Sequence, residues 1–330
     1  MDTYVTRVAV EPAEPGSLTV SWELDGEPAA VDIGVGPTPD AIDHTHTVTV
    51  KPPATSARLD GLAPGRHYVS VGTTGSATAL IAAERRIPFE GLQNFRDLGG
   101  YRADGGHTRW GLVFRSDGLH KLTGTDLIAF ERLGIRVVYD LRNETERSDH
   151  PNPVASIHLP VVGRPPGAVS PLAEPTEVRS TADGERLLRD MYVGMLAHSA
   201  PLFGRILGGL VEDDGMPALF HCHAGKDRTG MTAALLLLAL GVDAEDILDD
   251  YELTRRYRLF EHQQDSYENM LANGLPHEAA LGVLGGPRWT MAAALDDVDS
   301  THGGIEAYLT GPAGMTAVQL DALRDRLITP

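Results

Sequence analysis

MPALFHCHAGKDRTGMTAALLLLALG, residues 216–241, is the stretch that decides how the larger part of the chain is read. MPALF (216–220) is a short buried-strand pattern, and TGMTAALLLLALG (229–241) is apolar on most helical faces. The residues between them form a loop that opens a helix near Arg228 or Thr229. Such a loop turns several backbone N–H groups toward one place, and the helix dipole adds to them. The product is an anion site.

The same loop carries Cys222, the only cysteine in 330 residues. A helix N-terminus and neighbouring cations favour the thiolate over the thiol, so Cys222 is expected to be a nucleophile. Arg228 lies six residues further on and offers a planar fork for two oxygens of a tetrahedral anion. Gly225 bends the backbone where a side chain would obstruct the anion, and His223, Ala224 and Lys226 complete the cradle. Thr229 is placed to donate a hydroxyl to the thiolate as it leaves in a second step. A nucleophile beside such a cradle implies phosphoryl transfer through a cysteinyl-phosphate. Two other readings fail. A Walker A loop needs glycine and Ser or Thr where Phe220 and Asp227 stand. Zinc needs ligands spaced to converge, which His221, Cys222 and His223 in direct succession are not. No metal and no cofactor is expected.

Composition narrows the partners. The formal net charge is −18, with six basic and eleven acidic side chains in residues 1–86. Nucleic acid and anionic lipid surfaces are therefore disfavoured partners. A single cysteine excludes an intramolecular disulfide framework. The start, MDTYVTRVAVEPAEPG, has no apolar signal core, and the longest apolar run, Met231 to Val242, is too short to span a bilayer. The expectation is a cytoplasmic chain without membrane insertion, with signal-less export left open.

Residues 4–83 read as all-β: VTRVAV, SLTVSWEL, AAVDIGVG, HTVTV, SARLDGL, HYVSV and ATALIA are separated by Gly, Pro and Asp clusters. Strands of this length and spacing predict a sandwich with Trp22 in its core. LDGLAPGRHYVSV resembles the corner of a fibronectin type III domain, where Leu59 and Leu62 would plug the core and Tyr68 would open the next strand. From ERRIPFEG (84–91) onward strand and helix signals alternate. IRVVYDL (135–141) is a buried strand, and TGTDLIAFERLG (123–134) is a helix capped by Thr123 or Thr125. This alternation predicts an α/β domain with a largely parallel sheet over 87–330, preceded by the all-β sandwich over 1–86. Residues 163–185 read as a loop, and 244–300 as helices broken at Asn273-Gly274 and Gly285-Gly286-Pro287.

HCHAGKDRTG resembles the signature of the cysteine-dependent tyrosine phosphatases: His-Cys, five residues, Arg, then Ser or Thr. Its GKDRTG form is similar to a bacterial branch that also acts on phosphoinositides. NFRDLGGY (94–101), the run from Val113 to Arg147 and the closing segment 303–327 match that branch too. The resemblance covers residues 88–328 and implies an α/β phosphatase acting on phosphotyrosine or other phosphoproteins, or on phosphoinositides; a phosphate-binding pseudophosphatase is the further alternative, which the intact Cys222, Arg228 and Thr229 argue against. It makes Asp227 the general acid. No Trp-Pro-Asp follows Trp22, Trp110 or Trp289, so the separate acid loop of many such enzymes has no counterpart. Asp140, at a strand end, is the second candidate, with a pocket or orienting role. Lys226 would add charge for a multiply phosphorylated ring, and His221 would tune the loop by hydrogen bonding. Asn94, Arg96, Asp97, Arg115 and Asp117 are expected to pair and turn beneath the site. The resemblance also implies a lid near 250–300, where Met270, Leu271 and Leu275 either face the pocket or, the commoner case, are plain core residues. The partner of the sandwich is not legible.

Overall fold

The computed structural model describes residues 3–164, 178–258 and 263–329. The chain divides into two compact units. The first comprises Met1–Ile87, Arg96–Gly100 and Arg109–Leu112, and the second Pro88–Phe95, Tyr101–Thr108 and Val113–Pro330.

The first unit is built from β1 (Tyr4–Pro12), β2 (Leu18–Asp25), β3 (Val31–Gly36), β4 (Asp43–Val50), β5 (Ser56–Leu59), β6 (Tyr68–Thr73) and β7 (Leu80–Ala83). Two antiparallel sheets run β1-β2-β5 and β4-β3-β6-β7. Side chains alternate across a strand, so Leu18, Val20 and Trp22 of β2 all point inward. They share one core with Val31, Ile33, Val69 and Val71 from the other sheet, and Leu59 and Tyr68 close it while Leu62 packs on its edge.

Trp110 joins that core, although it lies far along the chain. Its indole N–H donates to the Ile81 carbonyl at 2.9 Å. Gly99 and Gly100 make this possible: a Cβ on Gly100, at φ +77°, would sit 2.3 Å from the indole ring. The approach carries Asp97 into the first unit. Its carboxylate takes Arg66 at 2.7 Å and the N–H groups of Gly99 and Gly111, each at 2.8 Å. Arg96 and Asp97, read from sequence as pairing and turning residues, both group with the first unit.

In the second unit four parallel strands lie in the order Ile157–His158, Val137–Asp140, Ala218–His221, Val113–Ser116. The strand before the loop is thus flanked on both sides. All three longer strands end together, at Ser116, Asp140 and His221, so the chains leaving them form one crevice. The helix Asp227–Ala239 follows the loop and is buried almost all round. It begins at Asp227, one residue before the range read from sequence.

The helix Gly124–Arg132 is capped by Thr123, whose hydroxyl and Asp126 form a capping box. Ser180 and Asp183 do the same for Thr181–His198. That helix overturns part of the loop expected over 163–185, because its capping box supplies a start signal inside a polar run. Residues 165–177 of that loop lie outside the described residues. Helices Gln264–Ala272, His277–Gly285 and Arg288–His302 are separated at the two breaks read from sequence. Leu275, Ala279 and Ala280 form a small core against which Met270 packs, while Leu271 is exposed. Leu275 and Met270 thus take the core reading, and Leu271 takes neither. Residues 259–262 of the expected lid lie outside the described residues. No helix among the described residues is long and apolar enough to cross a membrane.

Candidate active site

The loop from Cys222 to Lys226 is held from outside by its carbonyl groups. Asn94 Nδ2 donates to the carbonyls of Ala224 at 3.1 Å and Gly225 at 3.0 Å. Arg115 Nη2 donates to Gly225 at 2.8 Å, Arg258 Nη1 to Ala224 at 3.5 Å, and the Gly118 N–H to His223 at 3.1 Å. Arg115 is itself fixed by a buried ion pair with Asp250. Asp117 shapes the turn that carries Asn94 by accepting the N–H groups of Gln93 at 3.3 Å and Asn94 at 3.0 Å. With the carbonyls turned out, the N–H groups of His223 to Arg228 have no protein acceptor among the described residues. These donors sit at the N-terminus of the loop helix, where the dipole also favours an anion.

Gly225 is the point where this loop turns, at φ +67°. A Cβ there would lie 2.6 Å from the Ser116 carbonyl and 2.7 Å from the Asp117 N–H, both rigid backbone. Gly225→Ala is expected to cost about 1–2 kcal/mol for the left-handed backbone alone, with the clash added. A urea titration should show a lower midpoint at unchanged slope, and phosphate binding should weaken with it.

Cys222 is 1% exposed and lies at the floor of the loop. Arg228 reaches across to Glu146, Nη1 to Oε2 at 2.5 Å and Nη2 to Oε1 at 2.7 Å, a two-pronged pair. Burial works against the charge of Arg228, but the Glu146 hydrogen bonds and then the charge of an ionised Cys222 hold it above the ordinary guanidinium range. Burial likewise raises the Glu146 carboxyl, and the pairing with Arg228 outweighs it, leaving a net lowering. Glu146 was not foreseen. Its signal was present in NETER: Asn143 caps the short helix Glu144–Asp149, and Glu146 closes that capping box at 2.9 Å. The box fixes the carboxylate that meets Arg228.

Asp227 stands at the first turn of the loop helix. Its Oδ1 accepts the hydroxyl of Tyr192 at 2.6 Å and lies 3.5 Å from Lys226 Nζ. Asp227, Arg228 and Glu146 line a cleft of about 470 Å³, together with Val161, Met191 and Met195. Arg164 lines it too, so apolar side chains and several charged ones share the wall.

Two expected substrate contacts lie elsewhere. Lys226 is turned away and 5% exposed, and it donates to the carbonyls of Val283 at 2.7 Å and Leu284 at 3.3 Å. These belong to the last turn of His277–Gly285, where carbonyls lack intrahelical partners and the dipole attracts a cation. Asp140 is fully buried and paired with Arg142 through both oxygens, at 2.9 and 2.7 Å, with Asn152 Nδ2 adding a bond at 3.0 Å. Saturated in this way, it orients neighbours and does not line the pocket. The Thr229 hydroxyl is buried without a partner among the described residues. The ring of His223 stacks beside His120 at 6.0 Å, and His120 on His150 at 4.6 Å.

His221 is fully buried between strand and loop. Its Nδ1 meets the Cys222 carbonyl at 3.1 Å and its Nε2 meets Asn152 Nδ2 at 3.0 Å. The network is satisfied by a neutral ring that donates from Nδ1 and accepts at Nε2. Burial pulls its pKa down to about 4, against the nearby charge of Asp140. Between about 6.5 and about 4 the unfolded chain therefore binds a proton that the folded chain refuses. Stability is expected to fall as pH drops through that window, by roughly 3 kcal/mol at most from this group. Urea midpoints at pH 7 and 4.5 should show the loss, and His221→Gln should shrink the difference.

Residues 87–329 match the family described as the tyrosine phosphatase family. The chain belongs to that family and is a phosphoric monoester hydrolase. Among its relatives, the triple specificity protein phosphatase PtpB of Mycobacterium tuberculosis is 29% identical over 285 residues, covering 74% of this chain and 99% of that one. A tyrosine-protein phosphatase of Nostoc commune is 28% identical over 228 residues, 64% of this chain and 73% of its own. A Cupriavidus necator protein, provisionally named a tyrosine-protein phosphatase, is 27% identical over 249 residues, 74% of this chain and 90% of its own.

Proposed function

We propose that the protein removes phosphate from phosphotyrosine in proteins, through a cysteinyl-phosphate and without a metal ion. In the first step Cys222 Sγ bonds to phosphorus as the P–O bond to the tyrosyl oxygen breaks, and Asp227 gives its proton to that oxygen. In the second step water attacks phosphorus, the S–P bond breaks, and Asp227 takes a proton from the water. Arg228 and the N–H groups of His223 to Arg228 hold the three equatorial oxygens throughout. Thr229 supplies its free hydroxyl to the departing thiolate. The observation that carries this reading is the loop itself: N–H donors without protein acceptors among the described residues, beside the only thiol in the sequence.

The apolar side chains of the cleft favour an aromatic leaving group. Lys226 is engaged with helix carbonyls, so the argument from sequence for a multiply phosphorylated ring loses its main residue. The name of the Mycobacterium relative supports testing a wider substrate range. Turnover of a phosphotyrosine peptide and of phosphoinositide vesicles, both with EDTA present, decides between them. Faster release from the peptide is the expected result; faster release from the vesicles would move the protein to the phosphoinositide class.

The first unit, with seven strands in a three-plus-four arrangement, is best read as a fibronectin type III-like sandwich used for docking. Its core includes Trp110. A truncation at residue 86 would strip that indole of its surroundings, so docking is better tested by surface substitutions in the full chain.

A further inference from the structure

Asp227 is the only proposed catalytic group whose two oxygens are treated differently by the protein. Oδ1 is bound by Tyr192 and faces Lys226, whereas Oδ2 has no protein partner among the described residues. The side chain keeps about a quarter of its surface, 24%, open, and it lines the cleft. Tyr192 comes from the helix Thr181–His198 and is fully buried. Its oxygen is also 2.7 Å from the hydroxyl of Tyr251, from the helix Ala244–Tyr257. The two rings meet edge to face, with centroids 6.1 Å apart.

The direction of these bonds is fixed by chemistry. Oδ1 only accepts, whether or not Oδ2 carries the proton, so Tyr192 donates to Asp227, and Tyr251 then donates to Tyr192. Burial, followed by the charge of Asp227, holds the Tyr192 phenol well above its ordinary pKa, so it stays a donor. Two phenols from two helices thus fix one oxygen of a side chain that would otherwise rotate freely at a helix start. Lys226 Nζ lies 3.5 Å from the same Oδ1 while donating to helix carbonyls, and Arg228 pairs with Glu146, so neither bonds Oδ2.

We propose that Tyr192 is a positioning residue for proton transfer: its hydroxyl clamps Oδ1 of Asp227 so that Oδ2 presents the proton to the leaving oxygen. Tyr251 braces the clamp. The proposal rests on the reading of Asp227 as general acid and adds what aims it.

The test is kcat/KM for a series of aryl phosphates with leaving groups of rising basicity. It compares the full chain with Tyr192→Phe, Asp227→Asn and the double variant. A leaving group that is stable as its anion, such as dinitrophenolate, needs no proton; phenolate does. Asp227→Asn should lose about 10²–10⁴-fold on phenyl phosphate and little on dinitrophenyl phosphate. Tyr192→Phe should show the same selectivity at roughly 10-fold, since misplacing a catalytic group costs rate only where that group acts. The double variant should be no slower than Asp227→Asn. Equal loss on both substrates, or additive loss in the double variant, would overturn the proposal by making Tyr192 a structural residue. A selective loss in Tyr192→Phe cannot be read if Asp227→Asn itself shows none, and that outcome removes the acid assignment and the proposal with it. Should Tyr192→Phe fail to fold, Tyr251→Phe carries the test with the same selectivity at smaller size, and equal loss on both substrates again overturns it.

Discussion

Cys222→Ser is expected to fold, to bind phosphate and to lose at least about 10⁴-fold in turnover, the scale on which removal of a covalent nucleophile acts. The substitution is nearly isosteric at a site that is 1% exposed, so packing changes little. The hydrogen bonds that shape the loop run through its carbonyls to Asn94, Arg115, Arg258 and Gly118, and none involves the thiol. The anion cradle therefore survives. What disappears is the sulfur nucleophile proposed to attack phosphorus. Inorganic phosphate should inhibit or bind as before, while release from an aryl phosphate falls to background. Retained turnover would place the chemistry on another residue.

Arg228→Lys is expected to lower kcat by roughly 10²–10³-fold, the range seen when one preorganised donor to a developing charge is removed. Lysine keeps the charge but not the fork. In the structure that fork is already set: both Nη atoms are bonded to Glu146, at 2.5 and 2.7 Å. A bidentate partner holds the guanidinium plane in place before substrate arrives, so little reorganisation is left for the reaction. An ammonium on a flexible stem has neither the plane nor the second prong. Stability should change less than activity, because the pair is only partly buried, with 19% and 24% of the two side chains exposed. Kinetics on one aryl phosphate, with urea denaturation as control, separates the two effects. A kcat within a few-fold of the native value would show that charge alone suffices.

The strand, loop and helix start around Cys222 were legible because their pattern is local. Strand, turn, glycine and helix start lie within a dozen positions, and the physics of a helix N-terminus needs no distant partner. Trp22, Leu59 and Tyr68 were legible for a similar reason, since alternation along a strand fixes which side chains point inward. What sequence did not show depends on pairing across long separations. Glu146 is 82 residues from Arg228, and Asp250 is 135 from Arg115. Tyr192 is 35 residues from Asp227 and sits in a helix whose apolar pattern gives its hydroxyl no distinction. Lys226 was placed at the substrate because its charge fits a phosphate, and Asp140 because it ends a strand of the sheet. The structure gives both of them nearer partners, two helix carbonyls and Arg142. Trp110 was read only as a tryptophan lacking a Pro-Asp sequel. The two glycines that admit it, Gly99 and Gly100, were visible in NFRDLGGY, but nothing in the sequence said what they make room for.

The central claim is that phosphate passes through Cys222. The most direct measurement is acid quenching of the enzyme during turnover of an aryl phosphate, followed by peptide mass spectrometry with EDTA present throughout. A phosphate adduct on Cys222 of the peptide carrying HCHAGKDRTG is expected, absent from Cys222→Ser. Sustained turnover with no adduct, or with the adduct on another residue, would contradict it.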